Sequence, residues 1–253
     1  MKNIRIIPRL DIKGPNVVKP IHTEALRIVG NPADLAKRYY QEGADEIIYM
    51  DIVASLYQRN LDFDLLRSVA ENIFIPLTVG GGIRTIYDIN NALRAGADKV
   101  AINTYAVHNP EFISTAAKEF GSQCIVLSIE AKRQSDNKWE AYTDGGREYV
   151  GLDAIEWVKR GIELGAGEIM ITSIDKDGTG KGYDLDLIKN ITSFATVPVI
   201  VYGGAGNPES ILQVIREGKA DAVSAASIFH YKNFSIGEVK KYLKENDINV
   251  RLI

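Results

Sequence analysis

Short apolar runs rich in β-branched residues recur along the chain, separated by longer stretches in which apolar residues return every three or four positions. The runs are IRIIPRLD, DEIIYMD, IPLTVGG, DKVAIN, CIVLSIE, GEIMITS, VPVIVYGG and DAVSAAS, eight in all. The stretches between them, such as NPADLAKRYYQEG, IYDINNALRAG and LDAIEWVKRGIELG, open on polar residues and stop at glycine, as helix ends do. Strand-length runs alternating with helical patterns predict βα units and a parallel sheet.

The pattern is also written twice. IPLTVGGGIRTIYDINNALRAGADKVAIN, from Ile75, is echoed by VPVIVYGGAGNPESILQVIREGKADAVSAAS, from Val197, and AKRYYQEGADEII, from Ala36, by VKRGIELGAGEIM, from Val158. Each half therefore holds four βα units. The economical reading is an α/β fold, a single (β/α)8 TIM barrel over residues 1–253 built from two duplicated half-barrels. It leaves no room for a second domain.

Composition narrows the class without choosing a function. Apolar residues at 45% and charged residues at 25% exclude disordered and fibrous chains. A net charge of −3 gives no general reason to expect nucleic acid or an anionic membrane as partner, so any anion must be held locally. The one cysteine, Cys124, lies in the apolar run QCIVLSI and reads as a buried structural thiol. The apolar patch near the N-terminus is interrupted by Arg5 and Arg9, too early for a signal peptide, and no run approaches about 18 apolar residues. A cytosolic protein is expected.

The duplication aligns positions. The first strand ends PRLDIKG at Asp11 and the fifth ends LSIEAKR at Glu130, so the two carboxylates are counterparts that face each other across the C-terminal mouth of a barrel. Asp51, Asp175 and Asp177 lie at or just beyond other strand ends. Acids without His or Cys neighbours suit proton transfer better than zinc, so no metal is expected, although some of these carboxylates must merely cap helices. His22, His108 and His230 are dispersed and receive no role.

Two glycine loops, VGGGIR with Gly82 and YGGAGN with Gly204, sit at corresponding places before helices. Glycine lets backbone N–H groups approach a ligand, and a helix N-terminus favours negative charge. Asn103 and Thr104 close the first cradle, Ala226 and Ser227 the second. One such loop serves packing as often as binding; two in symmetric positions imply a substrate with phosphate at both ends. The long loop after strand 1 carries Lys13, Lys19 and His22 and can cover a site.

A further pattern lies at the opposite end. Arg5, Glu46, Lys99 and Glu168 each begin a strand, and pointing inward they make a ring of two cations and two anions. As a bare pattern this reads as a salt-bridge plug, with a gated passage as the other possibility.

RIIPRLDIKG, IPLTVGGGIR, LRAGADKVAIN, FGSQCIV, GLDAIEW, LGAGEI, DGTGKGYDL and GGAGN together resemble the cyclase subunit of imidazole glycerol phosphate synthase, over essentially the whole chain. The resemblance implies a barrel that takes ammonia from a glutaminase subunit docked on its N-terminal face. With it, the family cleaves and cyclises a bis-phosphorylated ribulosyl formimino aminoimidazole carboxamide ribotide, giving imidazole glycerol phosphate and aminoimidazole carboxamide ribotide. No cofactor is implied. Carried over by position, Asp11 and Glu130 are catalytic, and Lys19, Asp51 and Asp177 bind substrate. Gly82, Asn103, Thr104, Gly178, Gly204, Ala226 and Ser227 bind phosphate; Arg5, Glu46, Lys99 and Glu168 form the ammonia gate; Asp98 and Gln123 face the glutaminase.

The departures from the family pattern gather at the mouth. Glu130 replaces an aspartate, Arg9 a cysteine and Tyr202 a serine, and Gly180 stands where a lysine is usual, with Lys181 adjacent. The floor residues all match. This combination is similar to a branch associated with surface polysaccharides, thought to channel ammonia for amidination of a sugar, which stands as the alternative. A half-barrel sugar-phosphate isomerase and a non-catalytic conduit are the remaining readings.

Overall fold

The computed structural model describes residues 2–19 and 27–252. The predicted runs form β1 (Arg5–Lys13), β4 (Ile47–Asp51), β5 (Leu77–Gly80), β6 (Lys99–Ile102), β7 (Ile125–Ser135), β10 (Glu168–Ser173), β11 (Val199–Tyr202) and β12 (Ala222–Ala225). Each pairs in parallel with its neighbour, β12 pairs with β1, and the β7–β10 pairing completes a closed eight-stranded barrel. Closure removes every edge from these strands, which is why they tolerate such uniformly apolar sequence.

Alternation along each strand sends one face into the barrel and the other to the helices. Outward residues such as Ile6, Leu10, Ile47 and Ile125 join the main core with the inward faces of the helices. Helix starts follow their caps. Thr85 with Asp88, and Asn207 with Ser210, form capping boxes on the helices that follow the two glycine loops, Ile86–Arg94 and Pro208–Arg216. The duplication is thus preserved down to the hydrogen bonds that begin corresponding helices.

Inside the barrel the side chains are layered. Arg5, Glu46, Lys99 and Glu168 make the lowest layer. Ile7, Ile48, Ala101, Val126, Met170, Ile200 and Ala222 make an apolar layer above it, with Met50 packed against it. Arg9, Asp11 and Glu130 come next, toward the C-terminal mouth.

Two expectations change. Glu130 does not end its strand: β7 runs on to Ser135 and turns into β8 (Lys138–Thr143) and β9 (Glu148–Asp153), an antiparallel extension beside the mouth. Trp139 anchors it, fully buried with its indole N–H donating to Asp184 at 3.0 Å. The described parts of the segment after β1 are strand, because β2 (Asn16–Lys19) and β3 (Arg27–Gly30) pair antiparallel. His22 lies outside the described residues. Cys124 is buried and unpaired.

Candidate active site

The mouth contains three recesses, the central one sharing Glu130 with the first and Asp177 with the second. The largest, about 410 Å³, is lined by the first glycine loop at Gly81 and Gly82, by Asn103 and Thr104, and by Asp51, Arg84 and Glu130. The second glycine loop opens on only about 10 Å³, bounded by Lys19, Asp177, Gly178, Gly204, Ala226 and Ser227. A recess of about 50 Å³ between them is lined by Arg9, Asp11, Glu130 and Asp177. The structure therefore brings most of the mouth residues singled out in the sequence to one rim, Asp175 excepted.

Both cradles have the backbone that anion binding asks for. Gly82 and Gly204 lie at φ +69° and +111°, where a side chain is strained, and a Cβ at Gly82 would come within 2.6 Å of the Arg59 carbonyl. Asn103 and Ala226 share an unusual conformation, φ −125° and ψ −87° against φ −127° and ψ −74°, and neither side chain caps the helical turn that follows. The amides of those turns remain available beside the glycine loops. The difference in volume comes from side chains: Tyr202 replaces the Gly80 of the first loop, and Lys19 reaches in from β2 to hydrogen-bond its hydroxyl at 2.8 Å.

The two carboxylates occupy unlike surroundings. Asp11 is buried; Arg9 Nε donates to its Oδ1 at 2.7 Å, Tyr202 OH to its Oδ2 at 3.4 Å, and Lys19 Nζ stands 3.8 Å away. The Arg9 guanidinium also lies 4.2 Å over the Tyr202 ring. Burial by itself disfavours a charged carboxylate, yet Arg9 and Lys19 outweigh it and hold Asp11 below the usual range. Glu130 instead accepts a hydrogen bond from Asn103 Nδ2 at 3.1 Å, has the Gly146 backbone N–H directed at it, and makes no ion pair among the described residues. Burial pushes it up to about 7, with Arg9 opposing and the Asp11 and Asp177 charges adding to the rise. Two carboxyls whose surroundings drive their pKa values apart are the usual arrangement for dividing acid and base work.

Other residues fall where their neighbours pull them. Asp51 is pinned by Arg59 at 2.8 Å and lines the large recess; burial raises its pKa. Asp177 receives Lys19 at 3.0 Å. Asp175 turns away to accept the Arg133 backbone N–H at 2.8 Å and lines none of the three recesses. His230 is buried against Tyr39, and burial lowers it to about 4, which keeps it neutral.

At the floor, Arg5 contacts Glu46 at 2.7 Å and also Glu168, while Lys99 reaches Glu46 at 2.8 Å and Glu168 at 2.7 Å. The four charges close into an alternating ring. Thr78 donates a further hydrogen bond to Glu46. On the face outside this ring, Asp98 is exposed beside the strongly exposed Phe74, its Oδ2 taking the Leu77 N–H at 2.8 Å. Gln123 is exposed as well.

Sequence reasoning missed the contribution of the β8–β9 turn, which brings Asp144, Gly145 and Arg147 to the mouth. The alternation in KWEAYT followed by DGG was the available signal for that hairpin.

Residues 5–235 match the family described as histidine biosynthesis protein. The imidazole glycerol phosphate synthase subunit HisF of Legionella pneumophila is 57% identical over 209 residues, covering 83% of this chain and 99% of the relative. The subunits of the same name from Dehalococcoides mccartyi and Streptococcus mutans are 50% and 47% identical, over 100% and 98% of this chain and 99% and 98% of their own lengths.

Proposed function

This chain belongs to the histidine biosynthesis protein family, and from that premise we propose that it is the ammonia-using synthase subunit of an imidazole glycerol phosphate synthase. In this reading a bis-phosphorylated ribulosyl formimino aminoimidazole carboxamide ribotide lies across the mouth and reacts with ammonia, yielding imidazole glycerol phosphate and the aminoimidazole carboxamide ribotide. Gly82, Asn103 and Thr104 take one phosphate; Gly178, Gly204, Ala226 and Ser227 take the other. Lys19, Asp51 and Asp177 orient the span between them, and Asp11 and Glu130 form the acidic centre. The chain acts as one barrel in the cytoplasm, without a cofactor.

The observation that carries the reading is the stacking, within the barrel, of a closed ion-pair ring, an apolar layer and a mouth with two facing carboxylates. Ammonia is small and neutral, so an apolar layer admits it, whereas ammonium would lose its hydration there. A glutaminase subunit on the N-terminal face, touching Asp98 and Gln123, would deliver ammonia through the ring of Arg5, Glu46, Lys99 and Glu168. A sugar-phosphate isomerase has no use for such a ring. Among the described residues no helix is long and apolar enough to cross a membrane.

The test is turnover of the ribulosyl ribotide by the purified chain supplied with an ammonium salt, followed by release of the carboxamide ribotide. Turnover is expected, and with a glutaminase subunit present Lys99→Met should lower glutamine-dependent turnover while sparing the ammonium-dependent reaction. A folded chain that binds inorganic phosphate but shows no turnover would overturn the proposal.

A further inference from the structure

Just above the apolar layer the barrel interior turns polar again. Two residues on from Ile7, Val126 and Met170 along their strands, Arg9, Ser128 and Thr172 point inward in their turn. All three are buried, Arg9 to 6% exposure. Their hydrogen bonding is incomplete. Among the described residues Arg9 donates through Nε alone, to Asp11, and neither Nη has a partner. The Ser128 side chain makes no hydrogen bond among them, and the Thr172 Oγ1 is buried without one. Buried polar groups are nearly always paired, so three unpaired in one layer point to a ligand that supplies the partners.

The guanidinium is held ready for one. Asp11 occupies its Nε edge at 2.7 Å and the Tyr202 ring covers a face at 4.2 Å, which fixes its plane and leaves the Nη end free. Two Nη groups make a planar fork matched to the two oxygens of a carboxylate. Arg9 and Ser128 line the large recess together with Gly82, Asn103 and Thr104 of the first cradle. A phosphate in that cradle and a carboxylate at Arg9 therefore share one cavity of about 410 Å³. Arg9 and Thr172 also border the central recess.

We propose that Arg9 is an anion-binding residue of the mouth, whose Nη fork takes the carboxylate of a ligand seated by its phosphate in the first cradle, with Ser128 and Thr172 beside it. The chemical class of that ligand is a phosphorylated carboxylic acid. This goes beyond the ribotide reaction, whose substrate carries phosphates and a neutral carboxamide.

The charges around the fork admit one more anion. Asp11 is matched by Arg9, with Lys19 3.8 Å away, and Asp177 by Lys19 at 3.0 Å. Arg147 adds a cation at the central recess; Arg84 and His108 line the large one with Asp144 and with Asp51, which pairs with Arg59. Glu130, which burial pushes up to about 7, is mostly uncharged at pH 6 and there offers a proton to an incoming carboxylate instead of repelling it.

The experiment is calorimetric titration at pH 6 with acids of increasing length, each against the alcohol that replaces its carboxylate. The pairs are phosphoglycolate with 2-hydroxyethyl phosphate, 3-phosphoglycerate with glycerol 3-phosphate, and 6-phosphogluconate with glucitol 6-phosphate. In wild type at least one acid should bind about tenfold or more tighter than its alcohol. Arg9→Lys keeps the charge but loses the fork, and should bring that pair to within about threefold. Ser128→Ala should lower the preference by a smaller factor. Inorganic phosphate, which reports the first cradle alone, checks that each variant is folded. Equal affinity for acid and alcohol at every length, or a preference that Arg9→Lys keeps in full, would overturn the inference. None of these titrations depends on turnover, so a chain inert toward the ribotide and a chain indifferent to the carboxylate are separate results.

Discussion

Glu130→Gln should stabilise the protein, and only above mildly acidic pH. Folding pushes the Glu130 carboxyl from its ordinary 4.5 up to about 7, chiefly by burial. Below about pH 4.5 the group is protonated in the folded and unfolded chains alike and has no effect on the balance. Between about 4.5 and 7 the unfolded chain releases the proton while the folded chain keeps it, so stability falls as pH rises through that window. Above 7 the carboxylate is ionised in both states and the full penalty remains. A separation of about two and a half pH units corresponds to ~3 kcal/mol as an upper bound. For a chain of this size that moves the unfolding midpoint by about 6 to 12 °C. Glutamine keeps an oxygen for Asn103 and carries no charge, so the penalty disappears with little change in packing. Thermal unfolding of wild type and variant in parallel at pH 4, 6 and 8 gives the difference directly. A Tm gain that grows from near zero at pH 4 to a plateau at pH 8 is expected. A gain independent of pH, or one largest in acid, would refute the claim that the folded state disfavours the charge.

Gly82→Ala should weaken binding of inorganic phosphate at least tenfold in a calorimetric titration and lower stability by about 1–2 kcal/mol, since the residue sits at φ +69° with the Arg59 carbonyl where a Cβ would go; unchanged phosphate affinity would remove this loop from the site. Trp139→Phe takes away the indole N–H that reaches the buried Asp184 carboxylate, which still pairs with Arg133 at 2.7 Å. A cost of about 1–3 kcal/mol in denaturant unfolding is expected, with loss of order in the β8–β9 extension visible as faster amide exchange.

The strands were legible because barrel strands buried on both faces must be apolar throughout, and the helices because their caps are local. The hairpins escaped notice. β8 alternates polar with apolar residues but β9 does not, and what fixes the extension is distant: Trp139 meets Asp184, and Arg133 meets Asp184 and Asp186. Equally, Arg9, Tyr202 and Glu130 stood out as departures at the mouth, while the contacts of Arg9 and Tyr202 with Asp11 and of Glu130 with Asn103 appear only in the folded chain.

By itself the sequence determined the barrel, its internal duplication, the glycine cradles, the four floor charges and the two opposed acids, since each depends on periodicity or on a position within one βα unit. Tertiary structure decided that the two cradles are unequal, that Asp11 is enclosed by cations, and that Glu130 faces the cavity with a neutral partner. Those properties arise from distances across a closed barrel and from the loss of water around particular carboxylates, and neither quantity is carried by the order of residues along the chain.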